Sequence, residues 1–294
     1  MNKLTSLGWN LMCKVMPKTA VKIQYRHIMK SPISLSNPQD LNEKINYLKF
    51  HADMNEWARL ADKYAVREYV VERGLSDILV PLYGKYDIPR ELIADWKNLP
   101  EKFVIKSNHG CGTVILVRDK SKVNLTTLET ELSNWLKERF GLETNEKHYL
   151  RIKPCLIVEA LLEDASVKEF SQSMVDYKVW CFDGKPYCTL IVADRDPVTH
   201  DFKLDCYDVN WNQINGAMTD VHDKAALLPK PQNYDYMLEC ARKLSQGQKQ
   251  MRVDLYNIDG KIYFGEMTMT SQGGYMNYFS KEFLLEMGKQ FKVK

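Results

Sequence analysis

The stretch from Met251 to Thr268, MRVDLYNIDGKIYFGEMT, constrains the fold more than any other part of the chain. Two runs of β-branched and aromatic residues flank Asp259-Gly260, the signature of a tight hairpin. Side chains alternate along a strand, so the length of the connection decides which residues share a face. A two-residue turn at Asp259-Gly260 puts Asp254 and Glu266 on opposite faces. A three-residue loop over 258–260 pairs Asn257 with Lys261, and Arg252, Asp254, Glu266 and Thr268 then share one face. Two carboxylates beside an arginine are costly to leave without partners, and carboxylate oxygens suit Mg²⁺ when phosphates complete its shell. The plainer alternative is an exposed hairpin with one ion pair and a solvated glutamate.

The chain has 294 residues, enough for one large domain or two modest ones. A net charge of +3 gives no argument for nucleic acid, and none is expected as a partner. The charge is uneven, however. Residues 1–30 carry Lys3, Lys14, Lys18, Lys22, Arg26 and Lys30 and no acid, so the remainder is net negative. With Leu4, Leu7, Trp9, Leu11, Met12, Val15 and Met16 this arm reads as a basic amphipathic helix. It either packs on the body with its lysines in water or lies on an anionic membrane surface. It has no spanning apolar run and no signal-peptide pattern. Seven cysteines without a Cys-x-x-Cys pair argue against zinc and a disulfide framework. The expected location is cytoplasmic, at the inner face of the membrane if the arm binds lipid.

Along the chain, Asn37-Pro38-Gln39-Asp40 opens a helix with Leu41, Ile45 and Leu48 at helical spacing. A second helix is expected over 54–73, closed by Gly74, and a short strand over 78–81. Phe103–Lys106 and Val114–Val117 read as strands around a glycine-containing loop, 107–113, that can close over a ligand. A helix over 125–139, an apolar strand ending at Glu159, and a hairpin turning at Asp183-Gly184 follow. The stretch with Trp211, Pro229 and Pro231 reads as irregular, ahead of helices near 234–249 and 281–287. No internal repeat is present.

The 107–113 loop does not match the P-loop pattern, though its N–H groups can form an anion-binding nest. The chain also lacks a Gly-x-Ser-x-Gly elbow and a His-Glu-x-x-His motif. Its charged residues instead follow an order: lysine in a helix, strand-lysine-glycine loop, strand ending in Glu, Asp on a hairpin, then Arg-x-Asp and Glu-x-Thr across a hairpin. This order resembles the ATP-grasp superfamily over roughly residues 60–275. DKYAVREYV, FVIKSNHGCG, DYKVWCFDGKP and VDLYNIDGKIYFGEMT resemble the branch named after teichuronopeptide biosynthesis, the TupA-like family.

The resemblance implies an α+β chain of ATP-grasp fold, two α+β lobes holding the nucleotide between them. It divides the sequence into a basic helical segment, 1–60, a first lobe with the phosphate flap, 61–158, and a second lobe with the metal-binding hairpin, 159–294. Lys63 and Lys106 match the lysines that family members set on the ATP phosphates, and Asn108, His109, Gly110 and Gly112 lie in the flap. His109 is either a phosphate contact or a solvated loop residue. Glu159, with the backbone from Ala160 to Leu162, matches the hinge that reads adenine, and Asp176 the acid on the ribose. Asp254 and Glu266 match the Mg²⁺ carboxylates, and Arg252 the arginine that steadies the transferring phosphoryl group. Many relatives have Asn two residues after the metal-binding Glu, where this chain has Thr268, a poorer metal ligand. Lys178 and Arg195 are expected near the phosphates or an anionic acceptor.

The implied activity is an ATP-dependent carboxylate–amine ligase that joins an amino acid or peptide to a sugar acid or amino sugar of a surface polysaccharide, free or lipid-linked. One rival is a kinase of a sugar or lipid-linked glycan. Another is a glycosyltransferase, for which Asp194-Arg195-Asp196 has the spelling of a metal motif. Specificity is expected from the first 60 residues and from 197–232.

Overall fold

A computed structural model describes residues 3–164, 168–196, 199 and 201–293, with side chains from residue 7 onward. The expectations placed on the side chains of Lys3 and Leu4, and on 197–232 where it includes residues 197, 198 and 200, lie outside the described residues.

The chain opens with two helices, α1 (Lys3–Val15) and α2 (Pro17–Met29), where a single amphipathic helix was expected. Pro17 has no N–H to donate and sits in the first turn of α2, where that loss is harmless. Helix α3 (Leu41–Leu48) starts as expected: the Asp40 carboxylate accepts from the Glu43 N–H at 2.8 Å, and Glu43 returns to the Gln39 N–H at 2.7 Å. The long helix expected over 54–73 is broken into α4 (Met54–Ala61) and α5 (Val66–Glu72). Asp62 breaks it, because its carboxylate accepts from the Tyr64 and Ala65 N–H groups at 2.8 and 3.2 Å and offers the backbone an alternative to the helix. Lys63 therefore leaves the helix, and its N–H donates to the Asn108 carbonyl at 3.0 Å. Gly74, with φ near +70°, follows α5.

Residues 78–81 form no strand. Ser76–Ile78 is a 3-10 turn, and Pro81 cannot donate to a ladder. Strand β1 (Leu82–Tyr86) begins after it, followed by α6 (Pro89–Asp95), β2 (Phe103–Ser107), β3 (Val114–Val117), α7 (Leu125–Lys137) and β4 (Leu156–Glu159). These strands make one antiparallel sheet, ordered β1-β4-β2-β3. The second half of the chain supplies β5 (Asp176–Phe182), β6 (Lys185–Ala193), β7 (Lys203–Asp208), α8 (Tyr234–Ser245), β8 (Gln250–Ile258), β9 (Lys261–Thr268) and α9 (Lys281–Lys289). The second sheet, also antiparallel, is ordered β7-β6-β5-β8-β9. Strand β7 lies in the stretch expected to be irregular. Its buried Asp205 spoils the apolar pattern but is satisfied by the Cys206 N–H at 2.9 Å and by Gln213 Nε2 at 2.5 Å.

Each sheet buries its own core. Phe103, Ile105, Leu156 and Val158 pack with Leu92 of α6, Trp96 just after it, and Leu128 and Leu132 of α7. The larger sheet packs Val179, Val253 and Leu255 with Met237 and Leu244 of α8 and Met287 of α9. Val66, Tyr69, Val70, Leu75 and Ile78 fall within the segment assigned to the first lobe, yet their side chains belong to this second core.

The hairpin from β8 to β9 turns on two residues, since Ile258 pairs with Lys261 and Asp259 and Gly260 carry φ near +50° and +83°. The three-residue loop is thus not the device that aligns the carboxylates. A β-bulge is. Asp254 pairs with Glu266 and Leu255 with Phe264, so Gly265 is the extra residue that returns Glu266 to the face of Asp254. A Cβ on Gly265 would stand 2.9 Å from the Asp254 carbonyl oxygen and 3.3 Å from the Tyr256 ring. Gly265→Ala is therefore expected to destabilise the protein by about 1–3 kcal/mol. A urea midpoint equal to that of the unsubstituted protein would mean that the bulge has room for a methyl group.

Candidate active site

Strands β5, β8 and β9 bring Lys178, Asp254 and Glu266 directly opposite one another, with Arg252 opposite Thr268 two pairs away on the same face. Asp254 is 4% exposed and receives two N–H groups of Arg252, Nε to Oδ1 at 2.6 Å and Nη2 to Oδ2 at 2.8 Å, and also the Lys178 ammonium. Asp176 is 4.0 Å from the Lys178 ammonium and accepts from Arg195 Nη2 at 3.1 Å. At the other end Glu266, whose side chain is 32% exposed, lies 3.4 Å from Arg252 Nη2 and 3.6 Å from the Lys63 ammonium. A line of alternating charges thus runs Arg195, Asp176, Lys178, Asp254, Arg252, Glu266, Lys63, with one more cation than anions. Burial raises the pKa of the Asp254 carboxyl, but Arg252 and Lys178 outweigh it and hold the group at about 2. Burial likewise disfavours the charge of Arg252, yet Asp254 raises its pKa above the usual value. Arg252 also donates to Ser271 Oγ, a residue that carried no expectation.

The smaller sheet contributes a second cluster. Lys106 of β2 and Arg67 of α5 each bond a different oxygen of Glu159 at 2.8 Å, and Arg67 also donates to the Val80 carbonyl at 2.8 Å. Glu159, 6% exposed, is thus held by two cations. The Ala160 N–H is taken by the Pro81 carbonyl at 2.9 Å, and Leu162 is half-buried beyond the strand. Arg67 was missed although it stands four residues after Lys63, a spacing that carries meaning only once the chain re-enters a helix.

The loop between β2 and β3 is largely buried. Asn108 clamps it: its N–H and Oδ1 engage Cys155 at 3.1 and 2.8 Å, and its Nδ2 donates to Asp62 at 2.9 Å and to the Lys153 carbonyl at 3.0 Å. His109 is not solvated. It is 3% exposed, with Nε2 3.3 Å from the Glu138 carbonyl, and burial lowers its pKa. Gly110 is buried and its carbonyl accepts from the Lys63 ammonium at 2.5 Å, while Cys111 and Gly112 are exposed. Lys63 therefore touches the loop of one sheet and the carboxylate of the other. Tyr256, on β8, has Asp176, Glu266, Asp254 and Glu159 around it, and burial together with these charges raises its pKa well above the usual value. It carried no expectation, because a lone strand tyrosine has no signature. Asp194 and Asp196 are spent on loop structure, accepting from the Gln172 and Thr199 N–H groups, each at 2.8 Å.

Among the described residues no three His, Cys, Asp or Glu side chains form a metal cage of their own. Three oxygens do converge on one cationic nitrogen, Arg252 Nη2: Asp254 Oδ2 at 2.8 Å, Thr268 Oγ1 at 3.2 Å and Glu266 Oε1 at 3.4 Å. By donor chemistry two neighbouring carboxylates and a hydroxyl suit a hard cation such as Mg²⁺, with phosphate and water oxygens for the rest; Arg252 occupies the point between them here, so a cation would take the oxygens from the more exposed Glu266 side.

A family model described as TupA-like ATPgrasp matches residues 43–292. No curated protein matches the chain by sequence. Among solved structures, a D-alanine–D-alanine ligase from Bacillus anthracis complexed with ATP is 15% identical, with 79% of this chain and 62% of that chain covered and a TM-score of 0.43. An L-amino acid ligase from Bacillus licheniformis is 11% identical, with 75% and 43% covered and a TM-score of 0.46. The chain thus spans under two thirds of the length of either.

Proposed function

The chain belongs to the TupA-like ATP-grasp family, and from that premise we propose that it is an ATP-dependent carboxylate–amine ligase. The observation that carries the reading is the convergence of Asp254, Glu266 and Thr268 on one cationic point, in a strip of charge that Lys63 extends to the 107–113 loop. Asp254, Glu266 and Thr268 would hold Mg²⁺, which when bound neutralises phosphate charge.

A substrate carboxylate oxygen attacks the γ-phosphorus of ATP, the bond to the β-phosphate oxygen breaks, and ADP leaves. An amine nitrogen then attacks the acyl carbon, the bond to the phosphate oxygen breaks, and the amine proton passes to solvent. No protein nucleophile is needed. The work is positioning and charge neutralisation, which Lys63, Lys106, Lys178 and Arg252 supply. Arg252 stays protonated throughout, since Asp254 favours its charged form. Asp176 lies beyond Lys178 and suits the ribose hydroxyls, and Arg195, bonded to it, suits an anionic acceptor. The substrates we propose are an amino acid or peptide and a uronic acid or amino sugar of a surface polysaccharide, free or lipid-linked, in line with the family's name.

The test is ADP formation across a matrix of amino acids and uronic or amino sugars with Mg²⁺, product masses recorded. The ligase requires ADP only when carboxylate and amine are both present, and a product of their summed mass less water. ADP with a phosphorylated sugar and no need for an amine would replace the ligase by a kinase. Lys106→Ala is expected to weaken ATP binding by about tenfold or more, the loss of one charge-assisted contact, as read by calorimetry. Unchanged affinity would confine Lys106 to its ion pair with Glu159.

A further inference from the structure

Helix α1 leaves an apolar stripe uncovered. Leu7, Leu11 and Val15, at i, i+4 and i+8, are 70%, 61% and 69% exposed. Lys14 shares that face by its spacing, one residue before Val15 and three after Leu11. The opposite side is anchored: Trp9 Nε1 donates to the Glu143 carbonyl at 3.0 Å, and the Cys13 thiol is 3.6 Å from the same oxygen. In α2, Ala20, Val21 and Tyr25 are buried while Lys18, Lys22 and Arg26 form an exposed row at four-residue spacing. Among the described side chains of these two helices there is no acid.

We propose that α1 and α2 dock on an anionic phospholipid surface, with Leu7, Leu11 and Val15 entering the headgroup boundary and Lys14, Lys18, Lys22 and Arg26 meeting the lipid phosphates. The pairing of features selects the partner. A second copy of the chain would bring a basic face against a basic face, and a polyanion without an apolar layer would leave the leucines in water. No described helix is long and apolar enough to cross a membrane, so the pair lies on the surface. The placement also concerns the active site. The loop that receives Trp9 at Glu143 carries Glu146, whose carboxylate accepts from Thr270 Oγ1 at 2.5 Å, two residues beyond Thr268. The proposal stands whichever reaction the chain catalyses.

Co-sedimentation of the full chain with phosphatidylglycerol–phosphatidylcholine vesicles tests it, with pure phosphatidylcholine as control. Binding is expected on the anionic vesicles only, and to fall as salt rises. The charge variant Lys14→Gln/Lys22→Gln/Arg26→Gln should lose affinity on the order of a hundredfold. Leu7→Ser/Leu11→Ser/Val15→Ser, which keeps every charge, should lose more than about tenfold. Thermal midpoint and ATP affinity should be unchanged in both, which separates failure here from failure of the ligase reading. Equal binding to zwitterionic vesicles, full affinity in either variant, or self-association abolished by the serine variant without vesicle binding would each overturn the proposal. The comparison of vesicle types needs no variant and stands if one fails to fold.

Discussion

Asp254→Asn is expected to remove turnover and to destabilise the protein at the same time. Its carboxylate is buried and joins Arg252 and Lys178, two largely buried cations that the substitution would leave with only their longer contacts, Glu266 at 3.4 Å and Asp176 at 4.0 Å. Removing one member of such a group costs about 3–5 kcal/mol, and turnover should fall by about a thousandfold or more. Urea unfolding and ADP release read the two effects separately. Because Asp254 is buried and not on an exposed hairpin, its substitution touches the fold as well as the chemistry. The pH dependence supports the same test. The folded pKa of about 2 lies below the ordinary value of 3.8, so Asp254 adds stability above pH 3.8 that is lost as pH falls toward 2. That contribution is about 2 kcal/mol, and the stability gap between Asp254→Asn and the parent should narrow by this amount across that window. A gap that is the same at both ends would mean that Asp254 does not work through its charge.

Glu266→Gln should lose as much turnover, about a thousandfold, and almost no stability. Its side chain is one third exposed, and its partners Lys63 and Arg252 stand at 3.6 and 3.4 Å, too far for strong bonds. Partly exposed pairs of this kind are worth under about 1 kcal/mol, so the melting temperature should move by no more than a few degrees. The two neighbouring carboxylates then separate in experiment, one tied to structure and function together and the other to function alone. Retained ADP release in Glu266→Gln would remove the metal assignment.

Alternation along the hairpin left the alignment of Asp254 with Glu266 open, because the two-residue turn that forms would by itself set them on opposite faces and only the bulge restores it. A residue added in the loop and a residue added as a bulge at Gly265 shift register alike, and the sequence does not distinguish them. The break at Asp62 depends on a turn that competes with a strong helical pattern, and strand β7 hides behind a buried aspartate. Local patterns identified Lys106 and Glu159 at strand ends. Their bond to each other, and the part of Arg67, are contacts between residues distant in sequence. The same holds for the loop: Asn108 and His109 were expected in a flap, His109 with a solvated alternative, yet their partners are Cys155, Lys153 and Glu138, which only the folded chain brings close.

The position of Lys63 couples two events that could have been separate. One ammonium holds both the Gly110 carbonyl and the Glu266 carboxylate. An anion that draws this ammonium toward itself would release the Gly110 carbonyl and the Glu266 oxygen in the same movement, while Asn108 keeps the base of the loop fixed. The arrangement is an interlock: the loop carbonyl of one sheet and the carboxylate of the other share one charge, so neither is released alone.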